Sequence, residues 1–486
     1  MKLSKLLSDF DGQIFFSDDT EIFNVTSNSK SCVNGSLYIS IKGLKHDGHE
    51  YIPEAVSLGA VFFVIQSDAV KAKEYLTGSN LPFAVCDDTR KCEAILCARF
   101  FGDPQNSLKI SAVTGTNGKT TVVSLLHSIY SSTGIKAAAM GTLTGALTTL
   151  DPSQLYSQLA SLRDAGVTHV FMEASSHGLY FNKLAPITFE NGIFTNLSSE
   201  HLDFHRTMDE YAKAKAKLFK MSKRCIINVD DPYASVVSNG CKNVYTCSQI
   251  GSNADFQAKN AKNLGKNGIS YHLLTKDLIF KIRSSTIGMF SVMNTLQASA
   301  CAVLDGISHR VIRSALLCFK GVKGRLEKIP LPTNDFSLYI DFAHTPDALK
   351  KLLQTVRSFM SKGQRLVLLF GCGGDRDKSK RAIMGDIASH YCDFVVITSD
   401  NSRSEKSSDI ISQIMSGFDR DCPHTVIENR KTAIEYAVST AQHGDIIILA
   451  GKGHEEYELQ NGVYLPFSER QIAQNALLTR LKGSGS

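Results

Sequence analysis

A glycine-rich stretch with a lysine–threonine pair, residues 114–121, has the residue types that bind nucleotide phosphates. Glycines let backbone N–H groups approach phosphate oxygens, Lys119 can reach the outer phosphates, and the Thr120 hydroxyl can hold Mg²⁺. The common pattern has a glycine where this chain has Val113, so a generic glycine-rich turn is the alternative. By itself the stretch indicates a nucleoside triphosphate and does not separate a ligase from a kinase, a motor or a GTPase.

Two polar residues further along the chain could complete a metal site. Glu173 and His201 each follow a buried-strand pattern, in the segments 172–178 and 196–203. Carboxylate and imidazole groups suit Mg²⁺ or Mn²⁺ when phosphates supply the other ligands. Taken alone, Glu173 is equally explained as a solvated loop carboxylate, and His177 as a packing or capping residue. Above one sheet, Glu173 and His201 together favour a metal site.

A lysine-rich helical segment, Tyr211–Phe219, carries one lysine on the side that should face inward. Helical periodicity places Tyr211, Lys215 and Leu218 near one face. Desolvation of an inward lysine favours its neutral amine, which is a nucleophile. The wider basic run, Lys213–Arg224, has a solvated helix face as its alternative interpretation.

Short apolar runs that alternate with helical stretches must position these residues. The pattern predicts mainly parallel sheets, with an antiparallel patch at 268–282. Ligands bind such sheets at the carboxyl ends of the strands, where two more glycine-rich turns, 371–374 and 451–453, occur. The predicted strands are Ser36–Ile41, Val61–Ile65, Leu108–Thr114, Val167–Met172, Gly192–Thr195, Cys225–Val229, Ser337–Ile340, Leu366–Phe370, Phe394–Thr398 and Ile446–Leu449. The predicted helices are Ile52–Leu58, Thr120–Ser131, Pro346–Met360 and Ala382–Tyr391.

The length of 486 residues suggests about three domains at roughly 100–200 residues each. Changes of pattern place them at 1–106, 107–327 and 328–482, and residues 483–486 have the composition of an added flexible linker. The net charge of +6 suits an anionic small substrate better than a nucleic-acid duplex. No C-x-x-C pair occurs among the twelve cysteines, which fits a reduced, cytoplasmic setting. The sequence has neither a signal-peptide core nor an apolar run of bilayer length.

Seven segments occur in the order found in the Mur ligases, and the chain resembles this family from about residue 25 to 470. The resemblance implies an α/β fold of three domains. A central P-loop, parallel-sheet, ATPase-like domain is flanked by a small N-terminal α/β UDP-binding domain and a C-terminal Rossmann-like α/β domain. The segments are 115–121, 172–178, 196–203, 211–219, 324–327, 341–347 and 451–455.

The resemblance also implies ATP-dependent amide-bond formation in peptidoglycan biosynthesis. The members that the chain resembles add meso-2,6-diaminopimelate to UDP-N-acetylmuramoyl-L-alanyl-D-glutamate through an acyl phosphate. ATP and two Mg²⁺ ions are the implied cofactors, and Lys215 matches a lysine that CO₂ carbamylates to N6-carboxylysine. The implied catalytic residues are Lys119, Glu173, His201 and Lys215. The implied metal ligands are Thr120, Glu173, His201 and carbamylated Lys215. The implied ATP contacts are Gly115, Thr116, Asn117, Gly118, Lys119, Thr120, Thr121, Asn294, Arg325 and Asp341.

Two substrate sites follow from the same resemblance. Arginine can fork onto the far carboxylate of diaminopimelate, and an acid such as Glu455 can take the far ammonium. Ser402 stands where proline is usual, which should loosen the turn, and Phe181 replaces a glutamine of some relatives, which removes one expected substrate hydrogen bond. The implied contacts to the UDP-dipeptide are Ser29, Lys45, His46, Asp47, Thr148, Thr149, Ser175 and Lys183. The implied contacts to diaminopimelate are Arg376, Asp400, Asn401, Ser402, Arg403, Gly451 and Glu455.

Three other functions compete with this one. A lysine-adding member of the family would lack the arginine at Arg403, and a folylpolyglutamate synthase-like ligase would lack the separate N-terminal domain. A non-enzymatic nucleotide-binding protein on an inactive ligase core is the third, and Lys119, Glu173, His201 and Lys215 together argue against it. We expect a cytoplasmic monomer with no nucleic-acid partner and no membrane insertion.

Overall fold

The computed structural model describes residues 1–15, 18–43, 46–143, 147–251, 253–331, 335–418 and 421–483. The contacts between residues divide the chain into two compact units. One contains 1–115, 130–195 and 209–245, and the other contains 116–129, 196–208 and 246–486. Lys45 and residues 484–486 of the predicted linker lie outside the described residues. Among the described residues, no helix combines the length and the apolar character needed to cross a bilayer.

The N-terminal part of the first unit forms a five-stranded sheet in the order β1-β5-β4-β3-β2. Strands β2 to β5 pair in parallel, and β1 pairs antiparallel with β5. All of β3 and the segment Phe62–Ile65 of β4 are buried, as expected for parallel strands covered on both faces. The strands are β1 Gln13–Phe15, β2 Asn24–Thr26, β3 Ser36–Ile39, β4 Ala60–Gln66 and β5 Phe83–Cys86. The helices are α1 Leu3–Leu6, α2 Ile52–Ser57, α3 Val70–Gly78 and α4 Thr89–Phe100.

The first unit also contains five parallel strands of a nine-stranded sheet, in the order β10-β9-β6-β8-β7. β9 begins three residues before the predicted Gly192, because polar Asn191 is buried and donates to Ser111 Oγ (3.0 Å). The strands along this part of the chain are β6 Lys109–Thr114, β7 Ala137–Met140, β8 His169–Glu173, β9 Phe189–Phe194, β10 Ser222–Asn228 and β11 Val244–Ser248. The helices are α5 Lys119–Ser131, α6 Pro152–Asp164, α7 Ser176–Tyr180, α8 Leu202–His205, α9 Met208–Lys220 and α10 Ala234–Val237.

The second unit contains the predicted antiparallel patch and a further parallel sheet. β12, β13 and β14 pair antiparallel, which confirms the patch. The next sheet has the order β15-β16-β20-β17-β18-β19, parallel from β16 to β19. The strands are β12 Phe256–Asn263, β13 Ile269–Leu274, β14 Ile279–Ser284, β15 Glu327–Lys328, β16 Ser337–Asp341, β17 Leu366–Phe370, β18 Phe394–Ile397, β19 His424–Val426, β20 Ile446–Ala450, β21 Tyr457–Gln460 and β22 Val463–Pro466. The helices are α11 Phe290–Leu304, α12 His309–Cys318, α13 Pro346–Phe359, α14 Ser379–Tyr391, α15 Ser407–Met415, α16 Arg430–Ser439 and α17 Glu469–Gly483.

A small hairpin of β21 and β22 extends the second unit beyond its large sheet. The two strands pair antiparallel around Asn461 and Gly462, whose φ values are +48° and +78°. Positive φ at both central residues is typical of the type I′ turn, for which Asn-Gly is the preferred sequence. The hairpin therefore has a strong local reason to form, and it contacts the loop that follows β18.

Candidate functional site

Hydrogen bonds to Asn196 hold the phosphate loop of the second unit in shape. The Thr116 N–H donates to the Asn196 carbonyl (2.8 Å), and the Asn117 N–H donates to the Asn196 side chain (3.1 Å). The Lys119 ammonium donates to the Thr116 carbonyl (2.8 Å). A lysine folded over a loop that opens a helix is the arrangement of a phosphate cradle.

Asn294 of α11 packs against this loop. Gly118 has a φ of +89°, and a Cβ there would lie 2.5 Å from Asn294 Oδ1. Thr120 and Asn294 are both buried, and Thr121 lies in the first turn of α5. The second unit therefore brings together the predicted ATP contacts of this loop and Asn294, whereas Gly115 belongs to the first unit.

Arg325 and Asp341 lie close together in the second unit. The Asp341 carboxylate accepts from the N–H groups of Leu326 (2.6 Å) and Ala343 (2.7 Å). Burial raises the pKa of Asp341, against the charge of Arg325. The Arg325 guanidinium lies 4.5 Å from the Phe342 ring. Asp341 therefore fixes the backbone next to Arg325.

Glu200 is an acidic residue that sequence reasoning missed. Its carboxylate lies 3.6 Å from His344 Nε2 and 4.0 Å from His201 Nε2. Burial alone would raise the pKa of Glu200, but His344, His201 and Lys119 lower it to about 2. Glu200 is therefore ionised next to the predicted metal ligand His201. The sequence could have indicated Glu200 through its position in the segment 196–203, directly before His201.

Glu173, in the first unit, ends β8 with a buried and oriented carboxylate. Its side chain is 1% exposed. Oε1 accepts from the Thr142 N–H (2.9 Å), and Oε2 accepts from the Thr142 hydroxyl (3.2 Å). Gly141 leaves room for this carboxylate, because a Cβ there would lie 2.4 Å from Oε1.

Three predicted substrate contacts surround Glu173. The Thr149 hydroxyl donates to the Glu173 carbonyl (3.1 Å) and accepts from the Ser175 N–H (2.9 Å). Thr148 Oγ1 lies 3.3 Å from Thr142 Oγ1. The Ser175 side chain caps α7 by accepting from the Gly178 N–H (3.1 Å). These residues form one polar cluster at the carboxyl end of β8.

Lys215 lies on the inward face of α9, as periodicity predicted. The side chain is 1% exposed, and its ammonium donates to the Gly115 carbonyl (2.9 Å). It also lies 4.5 Å from the Tyr211 ring. A buried lysine whose ammonium bonds a backbone carbonyl is an unusual choice for packing alone, since desolvating a cation is costly.

Acidic partners hold the predicted nucleotide-peptide contacts of the first unit. The Ser29 hydroxyl donates to Glu54 (2.5 Å), and the Lys183 ammonium donates to Asp151 (2.6 Å). Asp47 accepts from the His49 N–H (3.0 Å), and His46 is exposed. Glu54 and Asp151 were missed because acidic residues in loops and short helices have no distinctive pattern.

The start of α4 contacts the residues before Lys183. Asn182 Nδ2 donates to Asp88 (2.8 Å), and the Arg90 guanidinium lies 4.1 Å from the Phe181 ring. Lys217 of α9 donates to Asn182 Oδ1 (3.1 Å). Phe181, which replaces an expected glutamine, therefore acts in packing against arginine.

The loop after β18 gathers most of the predicted amino-acid contacts. Arg403 has a φ of +53°, and its guanidinium donates to the carbonyls of Gly374 (2.8 Å) and Asn401 (3.3 Å). Asn401 Nδ2 donates to Glu455 (2.8 Å). Burial and the charge of Asp400 raise the pKa of Glu455. An arginine and an acid thus lie at one loop, which matches the two charges at the far end of a diamino acid.

The remaining predicted contacts border the same loop. A Cβ on Gly451, whose φ is +115°, would lie 2.6 Å from Asp400 Oδ2, and one on Gly374 would lie 1.9 Å from the Ser402 carbonyl. Ser402 is buried, and Arg376 is exposed near Gly373. The glycines are therefore required by close approach of the loop.

Three family matches cover most of the chain. Residues 21–100 match the Mur ligase family catalytic domain, 113–302 the Mur ligase middle domain, and 324–453 the Mur ligase glutamate ligase domain. An enzyme of Syntrophomonas wolfei subsp. wolfei is 40% identical over 481 residues, which is 96% of each chain. One of Caldanaerobacter subterraneus subsp. tengcongensis is 38% identical over 489 residues, which is 98% of this chain and 99% of the other. The chain therefore belongs to the Mur ligase family.

Both relatives are named UDP-N-acetylmuramoyl-L-alanyl-D-glutamate–2,6-diaminopimelate ligase. A solved structure of an enzyme with that name is also similar, with a TM-score of 0.66 and 28% identity over 99% of each chain. The predicted family, the three-domain α/β fold and the prediction of a peptidoglycan ligase are confirmed. The domain boundaries and the roles of single residues stay predictions.

Proposed function

We propose that this ligase adds meso-2,6-diaminopimelate to UDP-N-acetylmuramoyl-L-alanyl-D-glutamate with ATP. The observation that carries the choice of amino acid concerns Asn401 in the loop after β18. It bonds both Arg403 of that loop and Glu455 of the turn after β20. A guanidinium and a carboxylate at one loop suit the carboxylate and ammonium at the far end of diaminopimelate. L-Lysine would leave the arginine without a carboxylate.

The phosphate loop binds ATP in this proposal. The Lys119 ammonium donates to the Thr116 carbonyl of the same loop. When ATP binds, this ammonium would donate to the outer phosphates instead. The Gly118 conformation, the buried Asn294 and the first turn of α5 supply the rest of the cradle. Arg325, Asp341 and the other predicted ATP contacts of residues 116–121 belong to the same unit, and Gly115 is proposed with them from sequence.

The residues that the sequence proposes as metal ligands have side chains whose chemistry suits divalent ions. Glu173 and Thr120 offer oxygen ligands and His201 offers an imidazole, all suited to Mg²⁺. Lys215 carries the proposed carbamate. Addition of CO₂ would convert its buried amine, which bonds the Gly115 carbonyl, into an anionic group with oxygen ligands for the metal. When bound, the two ions would neutralise phosphate charge during transfer.

The proposed reaction proceeds in two displacement steps. A carboxylate oxygen of the dipeptide attacks the γ-phosphorus of ATP, ADP leaves, and an acyl phosphate forms. The amine nitrogen of diaminopimelate then attacks the acyl carbon, inorganic phosphate leaves with the C–O bond electrons, and the nitrogen gives up one proton to the departing phosphate. Lys119 stabilises the transferring phosphoryl group, and the cluster around Glu173 orients the acceptor. Ser29, His46, Asp47 and Lys183 bind the nucleotide end, and Lys45 is proposed with them from sequence.

Phosphate release and product mass test this proposal. Purified protein is mixed with ATP, Mg²⁺, the UDP-dipeptide and one amino acid: meso-diaminopimelate, L-lysine or L-glutamate. We expect release that needs both the UDP-dipeptide and diaminopimelate, with a product one diaminopimelate residue heavier. Preferred turnover with lysine, or turnover with a folate and glutamate, would refute it. Absence of turnover with every pair would support the inactive-core alternative.

Two further parts of the proposal concern where and how the protein acts. We propose a cytoplasmic enzyme, because its proposed substrates include ATP and a nucleotide-sugar peptide. Its twelve free cysteines also fit a reducing compartment. We also propose a monomer, which sedimentation velocity tests. A mass of twice 53.1 kDa at assay concentrations would contradict it.

A further inference from the structure

A buried lysine, Lys452, lies behind the amino-acid loop of the second unit. Its side chain is 0% exposed, although lysine is almost never fully buried without partners. The ammonium donates to Asn401 Oδ1 (2.8 Å) and to the Tyr457 carbonyl (2.8 Å), and it lies 3.7 Å from the Asp400 carboxylate. Nothing in the proposed function uses this group.

The contacts of Lys452 fix which way the Asn401 amide points. Asn401 Oδ1 accepts from Lys452 and from the Leu459 N–H (3.0 Å). Since the oxygen is held by two donors, the NH₂ group must point the other way, where it donates to Glu455 (2.8 Å). Without the cation, the amide could rotate and withdraw its donor from Glu455.

Lys452 also helps to keep Asp400 ionised. Burial alone would raise the pKa of Asp400, but Lys452 and Arg430 lower it below its usual value. The ionised carboxylate accepts from the Asn401 N–H (2.6 Å), which fixes the first peptide of the loop. A buried carboxylate that lost its cation would be strongly disfavoured.

Lys452 also connects the loop to the hairpin of β21 and β22. The Tyr457 carbonyl belongs to β21. From the other end of the hairpin, the Arg403 N–H donates to the Leu459 carbonyl (3.1 Å), and the Asn461 N–H donates to the Arg403 carbonyl (2.7 Å). The hairpin thus supports the positive-φ backbone of Arg403, and Lys452 attaches the hairpin to Asn401.

We propose that Lys452 is a positioning residue for the amino-acid site, which orients Asn401, Glu455 and the Arg403 loop without touching the substrate. The inference rests on the proposed function only for the identity of the amino acid. Its consequence is specific: removal of the cation weakens the binding of the amino acid and leaves the ATP and UDP-dipeptide sites unchanged.

The test compares Lys452→Met with Arg430→Met. Arg430 is an equally buried cation that also lowers the pKa of Asp400, but it pairs with Glu469 (2.7 Å) and bonds the carbonyls of Ser399 and Ala450 rather than the Asn401 amide. We expect Lys452→Met to raise the KM for diaminopimelate at least tenfold, with the KM for ATP and for the UDP-dipeptide within twofold. Arg430→Met should destabilise the fold at least as much with a smaller change of that KM. Equal KM effects in the two variants would overturn the proposal.

A double variant keeps the test decisive if Lys452→Met unfolds. Lys452→Met combined with Asp400→Asn removes both buried charges, and it is compared with Asp400→Asn alone. We expect Lys452→Met to raise the KM for diaminopimelate further in the Asp400→Asn background, because Asn401 Oδ1 still loses its ammonium donor there. An equal KM in the double variant and in Asp400→Asn would contradict the proposal. If wild-type protein used another amino acid instead, the proposed function would fail, and the KM for that amino acid would test Lys452.

Discussion

The substitution Gly141→Ala tests whether the Glu173 carboxylate is held where a metal ligand must be. A Cβ on Gly141 would lie 2.4 Å from Glu173 Oε1, 2.6 Å from Cγ and 2.8 Å from Cδ. The first distance is about 0.6 Å inside the 3.0 Å limit that real Cβ contacts keep. Because Cγ is also too close, the whole side chain must shift rather than only its end.

A shift of that size is large on the scale of metal coordination. Mg²⁺ requires near-ideal ligand distances of about 2.0–2.1 Å, and a misplacement of about 1 Å can cost roughly 100-fold in rate. Glu173 cannot simply swing away, because it is buried and bonded to Thr142. We expect turnover to fall by about 100-fold and the Mg²⁺ concentration for half-maximal rate to rise. Overpacking should also lower the free energy of unfolding by about 1–3 kcal/mol.

The assay is steady-state phosphate release across a Mg²⁺ titration, with thermal unfolding measured in parallel. Gly134→Ala is the matched control, because Gly134 also has positive φ (+84°) but no atom within 4 Å of a Cβ. Alanine at position 134 should be destabilised by the positive φ, but its Cβ meets no neighbouring atom. Wild-type turnover and Mg²⁺ dependence in Gly141→Ala would refute the role given to Glu173. Equal losses in both variants would assign the effect to backbone strain.

Three further outcomes are expected. Lys215→Ala should lower turnover more than 100-fold, because it removes the proposed carbamate, and added formate or acetate should restore part of the activity. The carbamate would be contradicted if neither anion restored activity and the mass of the wild-type protein showed an unmodified Lys215. Arg403→Ala should raise the KM for diaminopimelate at least tenfold and leave the KM for ATP unchanged; equal effects on both would exclude Arg403 as the carboxylate contact. Burial raises the pKa of the Glu93 carboxyl from 4.5 to about 7. The contribution of this carboxyl to the free energy of unfolding is therefore fully present below about pH 4.5 and is lost as the pH rises through about 7. The total loss is roughly 3 kcal/mol. Glu93→Gln should therefore raise the melting temperature at pH 8 relative to wild type and flatten its pH dependence, and an unchanged dependence would contradict this assignment.

The elements that carry the site were predictable because their patterns are local. An apolar run followed by glycines and a lysine predicted β6, the phosphate loop and α5, and the structure begins that helix at Lys119. Helical periodicity alone placed Lys215 inward, and its burial confirms the prediction. Leu366–Phe370 has the predicted bounds, since all five residues are apolar and buried.

What sequence could not supply depends on contacts between distant segments. Glu200 became visible only through His344, 144 residues away in sequence. Lys452 was hidden inside a glycine-rich turn, and its pairing with Asn401 spans 51 residues. The pairing of Lys452 with Asn401 follows from the sheet order, which places β18 and β20 on the same sheet with β17 between them. A single sequence does not encode that order in any local pattern.

The serine at position 402 shows how the same long-range contacts change a sequence-based expectation. Replacing proline should loosen the turn, because proline restricts the unfolded chain. In this loop, however, the Ser402 carbonyl accepts from the Glu405 N–H (3.0 Å) and lies against Gly374, and both backbone groups of Arg403 bond the hairpin. Neighbours on either side therefore fix the conformation of this loop without a proline ring. The loss of proline then acts mainly on the unfolded state and the folding free energy, while the direction of the Arg403 guanidinium is set by the Gly374 and Asn401 carbonyls.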